Sequence, residues 1–516
     1  MIIQSFHKIK SFLLIHPENN LKLQGIRSVS WSIIGKGTSY GLRLVSNILL
    51  TYMLSPSSFG LMATCLVIIT MIQLFSDIGI KTAIIQSKDA DKEEFLNTAW
   101  SISLLRGLFL FIFCFLISYP LSVFYDQEIL LFMIWIISFS IPLGALENPG
   151  IYLNIKKLRT DLQVIYEFGS EILSIFFTVS LAFLLQNVWA LVIGSLFTPI
   201  FKIYFSYKLN SFRPKFQIFD KYSKDLLRFG KFIMINTLVT WAALNLDTLF
   251  IGKWNGMNEL GNYNIGKNLA ISLEMFLVGI IGQSFFPIIS NVQSDLTRVQ
   301  KIYRRSSTLA LTFAIPIIFN MIYFSEEIIH ILYREEFYPA IIPMFWVSCR
   351  GIFRIISMFQ GSTLIGIGRA ELETYSMSFA LLVFFLLFYG FYFKIIDVEL
   401  FSFLEILNIG KISSLYIQST LVFLVGFVAA LAEMLLLIAV IKCSYRSILT
   451  PWFQSFLLFI LMGFSSKMIH PILKEFNFSD YSIIFVISAI CLCLSIGFYF
   501  LLEGKKPWKD MGGGNL

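Results

Sequence analysis

The chain of 516 residues is 57% hydrophobic and only 14% charged, and it contains 54 phenylalanines. A soluble globular domain has about 25% charged residues, so this composition excludes an ordinary soluble protein and predicts an integral membrane protein. The net charge of +8 does not call for a nucleic-acid partner, because the cytoplasmic loops of membrane proteins carry an excess of Lys and Arg.

The hydrophobic runs predict an all-α polytopic membrane protein with about 14 spanning helices, or 12 if the weaker runs do not span. A spanning helix requires about 20 mostly apolar residues. The segments that meet this requirement are 28–53, 59–80, 97–118, 129–148, 166–185, 188–207, 229–252, 268–290, 307–325, 340–366, 375–393, 416–441, 450–470 and 481–502.

The Lys and Arg residues predict the orientation of these helices. If the N-terminus is cytoplasmic, 27 basic residues fall on the cytoplasmic side of the alternating connections and 7 fall on the outer side. This bias favours cytoplasmic N- and C-termini. Residues 1–27 are expected to form a cytoplasmic interfacial segment, because Ile2, Phe6 and Ile9 share one helical face.

Two tracts indicate an internal repeat. MLSPSSFGLMATCLVI, from Met53, resembles WNGMNELGNYNIGKNLAI, from Trp254, and an offset of 201 residues aligns Gly60 with Gly261. Such a repeat predicts two pseudo-symmetric six-helix lobes around a central cavity, with two extra helices after them. The predicted regions are an N-lobe at 28–207, a basic cytoplasmic linker at 208–228, a C-lobe at 229–441 with an outer-side insertion at 394–415, and the extra helices with a short tail at 442–516.

Five basic residues lie toward mid-depth in predicted spans, where a Lys or Arg that faces lipid costs about 2.5–3.5 kcal/mol. They are Lys36, Arg43, Arg106, Arg350 and Arg354. Such residues must face a polar interior, where each could pair with a carboxylate and hold helices together. Because few acidic residues lie at the same depth, the set also indicates a cationic cavity for an anionic ligand. Arginine suits pyrophosphate, since its planar group forms two parallel hydrogen bonds to phosphate oxygens.

Three acidic residues in or beside the spans are candidates for ion coupling. They are Asp77, Asp247 and Glu433. A carboxylate within a membrane can carry a proton or bind an ion, and a structural role at a helix end is the alternative. The sequence predicts no metal site, no cofactor and no ATP-binding loop, because it has neither a ligand cluster nor a G-x-x-x-x-G-K-[ST] motif.

Three tracts resemble the bacterial polysaccharide transporters, which are the Wzx-type flippases of the MOP flippase superfamily. The first is similar to the signature region of that family, the second to the start of its second lobe, and the third to the segment that follows. They are MLSPSSFGLMATCLVIITMIQLFSDIGIKTAIIQ (53–86), LRFGKFIMINTLVTWAALNLDTLFIGKWNGMNELGNYNIGKNLA (227–270) and FPIISNVQSDLTRVQKIYRRS (286–306). The resemblance covers roughly residues 28–370.

The resemblance implies a transporter of the bacterial cytoplasmic (inner) membrane and not an enzyme. Its cargo would be an oligosaccharide repeat unit attached through pyrophosphate to a polyprenyl lipid. Alternating access of two lobes would carry this unit from the inner to the outer leaflet for O-antigen, capsule or exopolysaccharide. The implied partners are the lipid-linked oligosaccharide and membrane lipid, and a polysaccharide polymerase and chain-length machinery are further candidates.

Two other functions stay open. A cation-coupled multidrug or metabolite antiporter of the same superfamily would need an acidic cavity, whereas the charges at mid-depth are mainly basic. A membrane-embedded polysaccharide polymerase would usually place catalytic residues on a large outer loop or a cytoplasmic domain. The longest predicted outer loop has about 22 residues, at 394–415.

Overall fold

The computed structural model describes residues 21–76, 79–87, 89–156, 159–393, 413–441, 445–476 and 479–503. These residues form helices, turns and short connections, and no strand occurs among them. The start of the predicted interfacial segment and nearly all of the predicted insertion at 394–415 lie outside the described residues.

The chain divides into two compact units, and the first of them ends at Gly261. Within this unit α8 packs against both α1 and α9, and α10 packs against α2 and α4. The helices are α1 (Leu21–Thr51), α2 (Pro56–Phe75), α3 (Ile80–Gln86), α4 (Glu93–Tyr125), α5 (Ile129–Ser138), α6 (Ser140–Ala145), α7 (Leu153–Lys156), α8 (Thr160–Leu185), α9 (Trp189–Leu209) and α10 (Asp220–Asn255), with a 3₁₀ turn at Pro149–Tyr152.

The second unit begins at Asn262, inside helix α11 (Met257–Asn291). The remaining helices are α12 (Leu296–Tyr323), α13 (Ser325–Leu332), α14 (Ile341–Gly366), α15 (Ala370–Tyr392), α16 (Ser414–Ile441), α17 (Tyr445–Glu475) and α18 (Asp480–Glu503), with a 3₁₀ turn at Glu335–Ala340. α12 packs against α14, α17 and α18, while α16 packs against α14 and α15. Buried apolar side chains such as Ile315, Phe359 and Met462 form the core of this unit.

Ten of the described helices are long and apolar enough to cross a membrane, and a bent pair, Ile129–Ala145 with Pro149–Lys156, makes eleven if it counts as one span. Three other long helices, α1, α10 and α11, lie where the first, seventh and eighth spans are predicted, and they have 31, 36 and 35 residues. The all-helical, multi-pass fold is therefore confirmed. The exact number of 14 spans, their orientation and the bounds of the two lobes stay predictions.

Residues 210–219 connect α9 to α10 beside α4 without forming a helix or a strand. Two polar side chains of α4 bond this backbone. Asn97 Oδ1 accepts from the Lys215 backbone N–H at 2.8 Å, and Ser101 Oγ accepts from the Gln217 N–H at 2.9 Å. These bonds satisfy backbone groups that no helix or sheet would satisfy here. This part of the predicted basic linker is thus held against α4.

Two glycines in the repeated tracts let α2 touch the start of α11. The two helices begin 201 residues apart, at Pro56 and Met257. A Cβ atom on Gly60 would lie 1.9 Å from the carbonyl oxygen of Met257, and a Cβ atom on Gly261 would lie 1.8 Å from that of Pro56. Each helix therefore places its glycine against the first turn of the other, at a distance that only glycine permits.

We expect Gly60→Ala and Gly261→Ala each to destabilise the protein by about 1–3 kcal/mol, because the added methyl group would overlap a backbone carbonyl of a packed helix. The midpoint of thermal unfolding in detergent, followed by tryptophan fluorescence, should fall. Gly41→Ala is the control, since no atom lies within 4 Å of its added Cβ. Equal midpoints for Gly60→Ala and Gly41→Ala would contradict the contact.

Candidate functional site

A cavity of about 510 Å³ lies in the first unit between α1, α8 and α9. This volume is in the range of small-molecule binding sites. Hydroxyl and amide side chains contribute much of its lining, among them Ser39, Asn47, Gln163, Ser174 and Thr198. A cavity with this lining can hydrogen-bond a polar ligand at several points.

The spacing of polar residues along α8 explains the polar wall. Gln163, Glu167, Glu171 and Ser174 follow one another at intervals of three or four residues, so they project from one face of the helix. Phe176, two residues after Ser174, is exposed on another face, as a lipid-facing side chain would be. The sequence of α8 thus gives one polar stripe and one apolar stripe.

Arg43 is a predicted cargo-binding residue that lines this cavity. Its Nε donates a hydrogen bond to Glu171 Oε1. The Arg43 side chain is 66% exposed and the Glu171 side chain is 13% exposed. Because Arg43 is largely exposed, the ion pair contributes only about 0–1 kcal/mol, so an anionic ligand could compete with Glu171 for Arg43.

Lys202 of α9 also lines the cavity, although its position at the end of a predicted span places it among the cytoplasmic basic residues. Its Nζ lies 5.9 Å from the centroid of the Tyr166 ring. Among the residues that the structure describes, Lys202 forms no salt bridge. The sequence signal for this residue is its spacing from Thr198, which lies one turn earlier on the same face of α9.

A carboxylate, Glu147, lies behind Tyr166. The Tyr166 hydroxyl donates to Glu147 Oε2, and the Tyr152 hydroxyl donates to the same oxygen at 3.3 Å. Lys81 Nζ lies 5.6 Å from the centroid of the Tyr152 ring. Each of the two tyrosines therefore contacts both this carboxylate and a lysine.

The described lining of the cavity has balanced charges. Arg43 and Lys202 are matched by Glu167 and Glu171. The cationic surplus predicted from the sequence is not found among these side chains. The side chain of Lys36, which the same prediction includes, lies outside the described residues.

Arg106 of α4 bonds the end of α2. Its Nε donates to Ser76 Oγ at 2.9 Å, and its Nη2 donates to the Gln73 carbonyl oxygen at 2.5 Å. A cation is favourable at a helix C-terminus, where backbone carbonyl groups lack helical partners. This geometry accounts for the charge of Arg106 without a ligand.

Arg350 and Arg354 lie on one face of α14 in the second unit, and both approach Glu274 of α11. Arg350 Nη2 is 4.0 Å from Glu274 Oε2, and Arg354 Nε is 3.7 Å from Glu274 Oε1. Gly426 of α16 makes room for this network, since a Cβ atom there would lie 2.5 Å from Arg350 Cγ. The side chains of Arg350 and Glu274 are only 7% and 4% exposed, so these charges are buried together.

The candidates for ion coupling have separate surroundings. Asp247 is buried in α10, where its Oδ1 accepts from the Thr248 backbone N–H at 2.7 Å. Glu433 is buried in α16, where its Oε1 accepts from Ser376 Oγ at 3.3 Å. Asp77 lies outside the described residues. The roles predicted for these residues and for the five basic residues stay predictions.

We expect Glu274→Gln to destabilise the protein by about 3–5 kcal/mol, because it leaves the buried guanidinium of Arg350 without its carboxylate partner. Glu171→Gln should cost no more than about 1 kcal/mol, because Arg43 is largely exposed. Thermal unfolding of both variants in the same detergent measures the difference. A larger loss for Glu171→Gln than for Glu274→Gln would contradict the assignment of the buried network.

A family described as polysaccharide biosynthesis protein matches residues 49–342. The teichuronic acid biosynthesis protein TuaB of Bacillus subtilis (strain 168) is 24% identical over 315 residues, which cover 60% of this chain and 65% of TuaB. The chain thus spans just under two thirds of that relative. The lipopolysaccharide biosynthesis protein WzxC of Escherichia coli (strain K12) is 24% identical over 368 residues, which cover 69% of this chain and 72% of WzxC.

Solved structures show the same fold at low sequence identity. The lipid II flippase MurJ, in an inward closed conformation, has a TM-score of 0.65 and 14% identity, and the match covers 92% of this chain and 99% of that chain. An inward-facing MATE multidrug transporter of the MOP superfamily has a TM-score of 0.59 and 14% identity, and the match covers 78% of this chain and 94% of that chain. Because the family match includes more than half of the residues, this chain belongs to the polysaccharide biosynthesis protein family, the Wzx-like membrane transporters that its sequence tracts resemble.

Proposed function

We propose that this protein moves oligosaccharide repeat units, linked through pyrophosphate to a polyprenyl lipid, from the inner to the outer leaflet of a bacterial cytoplasmic membrane. The exported material would be an O-antigen, capsule or exopolysaccharide. The observation that carries this proposal is the polar cavity between α1, α8 and α9 in a chain that is 57% hydrophobic.

The chemistry of the cavity lining supports a sugar cargo. Sugar hydroxyl groups both donate and accept hydrogen bonds, and the amides of Asn47 and Gln163 can do the same. Gln163 Nε2 donates to one oxygen of Glu167 at 2.9 Å and so holds this carboxylate in place. Its two oxygens can still accept hydrogen bonds from a pair of sugar hydroxyls. Tyr40 offers an aromatic face for a sugar ring.

The cationic groups support a phosphate-bearing cargo. The guanidinium of Arg43 can bind two phosphate oxygens at once if Glu171 gives way. The glycan and the pyrophosphate would cross through the cavity, while the polyprenyl chain stays in the hydrocarbon of the bilayer. The similarity of the fold to a lipid II flippase supports alternating access as the mechanism.

A second candidate function is efflux of a cationic compound, which the carboxylates of Glu167 and Glu171 favour. A MATE transporter has the same fold. The two functions differ in a simple phenotype, because loss of an efflux protein sensitises cells to cationic drugs and leaves surface polysaccharide intact.

The proposal is tested in a strain that lacks this protein. We expect surface polysaccharide to disappear and complete lipid-linked repeat units to accumulate on the cytoplasmic side. Arg43→Ala should reduce export by about tenfold or more, since a hydrogen bond to a charged group contributes about 1.5–3 kcal/mol. Arg369→Ala is the matched control, because Arg369 also pairs with a glutamate, Glu371, at 3.4 Å and both are exposed outside the cavity.

Two results would contradict the proposal. Repeat units that reach the outer leaflet but stay unpolymerised would place the protein after the flip and favour a polymerase. Normal surface polysaccharide together with new sensitivity to cationic drugs would favour efflux. Immunoblots of membranes must show equal amounts of each variant, so that a loss of export reports on transport and not on protein level.

A further inference from the structure

The two basic residues of the cavity differ in their surroundings. Arg43 already has a carboxylate partner in Glu171. Lys202 forms no salt bridge within the described part of the chain, and its ammonium group lies over the face of Tyr166. A cation over an aromatic face is stabilised by the ring, yet it keeps its hydrogen-bond donors for another group. Lys202 is therefore the basic residue of this wall that is ready to bind an anion.

The carboxylate of Glu147 is hydrogen-bonded to two tyrosines. Glu147 is near enough for the charge of Lys202 to act on it. However, the hydroxyl groups of Tyr166 and Tyr152 both donate to its Oε2, and Tyr166 is buried. The tyrosines thus engage one oxygen of the carboxylate, and within the described part of the chain Lys202 forms no salt bridge with it.

We propose that Lys202 binds the pyrophosphate of the cargo and that Tyr166 and Tyr152, by engaging Glu147, keep Lys202 available for it. Lys202 is the binding residue, and the two tyrosines are positioning residues that act through Glu147. The proposal rests on the proposed function for the identity of the cargo. The anion chemistry itself stands on the geometry of these four residues.

The other charged groups around this site are consistent with that role. On the cavity side, Glu167 accepts a hydrogen bond from Gln163, and Glu171 pairs with Arg43. On the far side, Lys81 lies over the Tyr152 ring. Each of these groups has a contact other than Lys202, so an incoming phosphate would not have to displace a carboxylate from Lys202.

Binding to the purified full-length protein in detergent tests the proposal. The probes are inorganic pyrophosphate and farnesyl diphosphate, and titration calorimetry measures their Kd. We expect Lys202→Gln to weaken binding of both probes by about 10- to 100-fold, the range for loss of a charge-assisted hydrogen bond. Lys202→Arg should keep most of the affinity, because the positive charge is retained.

The matched control is Lys208→Gln. Lys208 lies on the same helix, with its Nζ 5.4 Å from the centroid of the Tyr204 ring, but it is not part of the cavity lining. We expect this variant to bind both probes as the original protein does. An equal loss of affinity for Lys202→Gln and Lys208→Gln would overturn the site, as would a failure of the original protein to bind either probe.

A double variant separates positioning from simple structural support. Tyr166→Phe keeps the ring but loses the hydroxyl, which frees Glu147 to pair with Lys202, so affinity for pyrophosphate should fall about tenfold. Adding Glu147→Gln removes the competing charge and should restore affinity. If the affinity of Tyr166→Phe/Glu147→Gln stays as low as that of Tyr166→Phe, the positioning role is wrong.

Vesicles distinguish the possible sources of the phosphate group. Excess phosphatidylglycerol should compete poorly with farnesyl diphosphate, and equal competition would assign the site to lipid headgroups instead. The outcome is also independent of the export assay. Binding that depends on Lys202 in a protein whose loss leaves export intact would refute the proposed function alone. Export that requires the protein, together with unchanged binding by Lys202→Gln, would refute this inference alone.

Discussion

A charged side chain among membrane-spanning helices must find an opposite charge, a hydrogen-bond acceptor or water, because bare hydrocarbon would cost it several kcal/mol. Three of the described basic residues meet this requirement in three different ways. Arg106 uses the carbonyl end of a helix, Arg350 uses a buried carboxylate, and Lys202 uses an aromatic face. The first two arrangements are closed, so they stabilise helix packing. The third leaves the cation accessible from the cavity, and the role proposed for Lys202 depends on this difference more than on the number of charges.

Much of the fold could be predicted from the sequence, because a spanning helix is encoded locally by its apolar length. Even α1, with its internal Lys and Arg, was recognisable from the alternation of basic connections. The sharp bend near Asn148 was not predicted, since it depends on distant partners. The Asn148 backbone N–H donates to Ser206 Oγ, and its side-chain amide donates to the Phe212 carbonyl oxygen. No local pattern near residue 148 reveals bonds to residues about 60 positions away.

The candidate site was less accessible to sequence reasoning. Arg43 could be selected because a lone cation in an apolar run is conspicuous, but its partner Glu171 is 128 residues away. The sequence places Lys202 among the basic residues of the cytoplasmic connection after its helix. Hydropathy indicates how deep a residue lies in the membrane, but it does not indicate toward which neighbour its side chain points. The predicted cationic cavity also depends on summing the basic residues that lie at one depth in the membrane, and such a sum assumes that all their helices are neighbours. In the structure Arg350 lies in the second unit, where it approaches Glu274.

The reciprocal glycine contact between α2 and the start of α11 has a consequence for the origin of the chain. Gly60 and Gly261 occupy equivalent places in the two repeated tracts, and each meets the first turn of the other helix. A polypeptide of half this length that paired with a second copy about a twofold axis would make both contacts with one glycine. Gene duplication and fusion of such a dimer would turn that single constraint into two. Each position would then have to keep its glycine independently. The two tracts could therefore stay similar after the rest of the two halves had diverged.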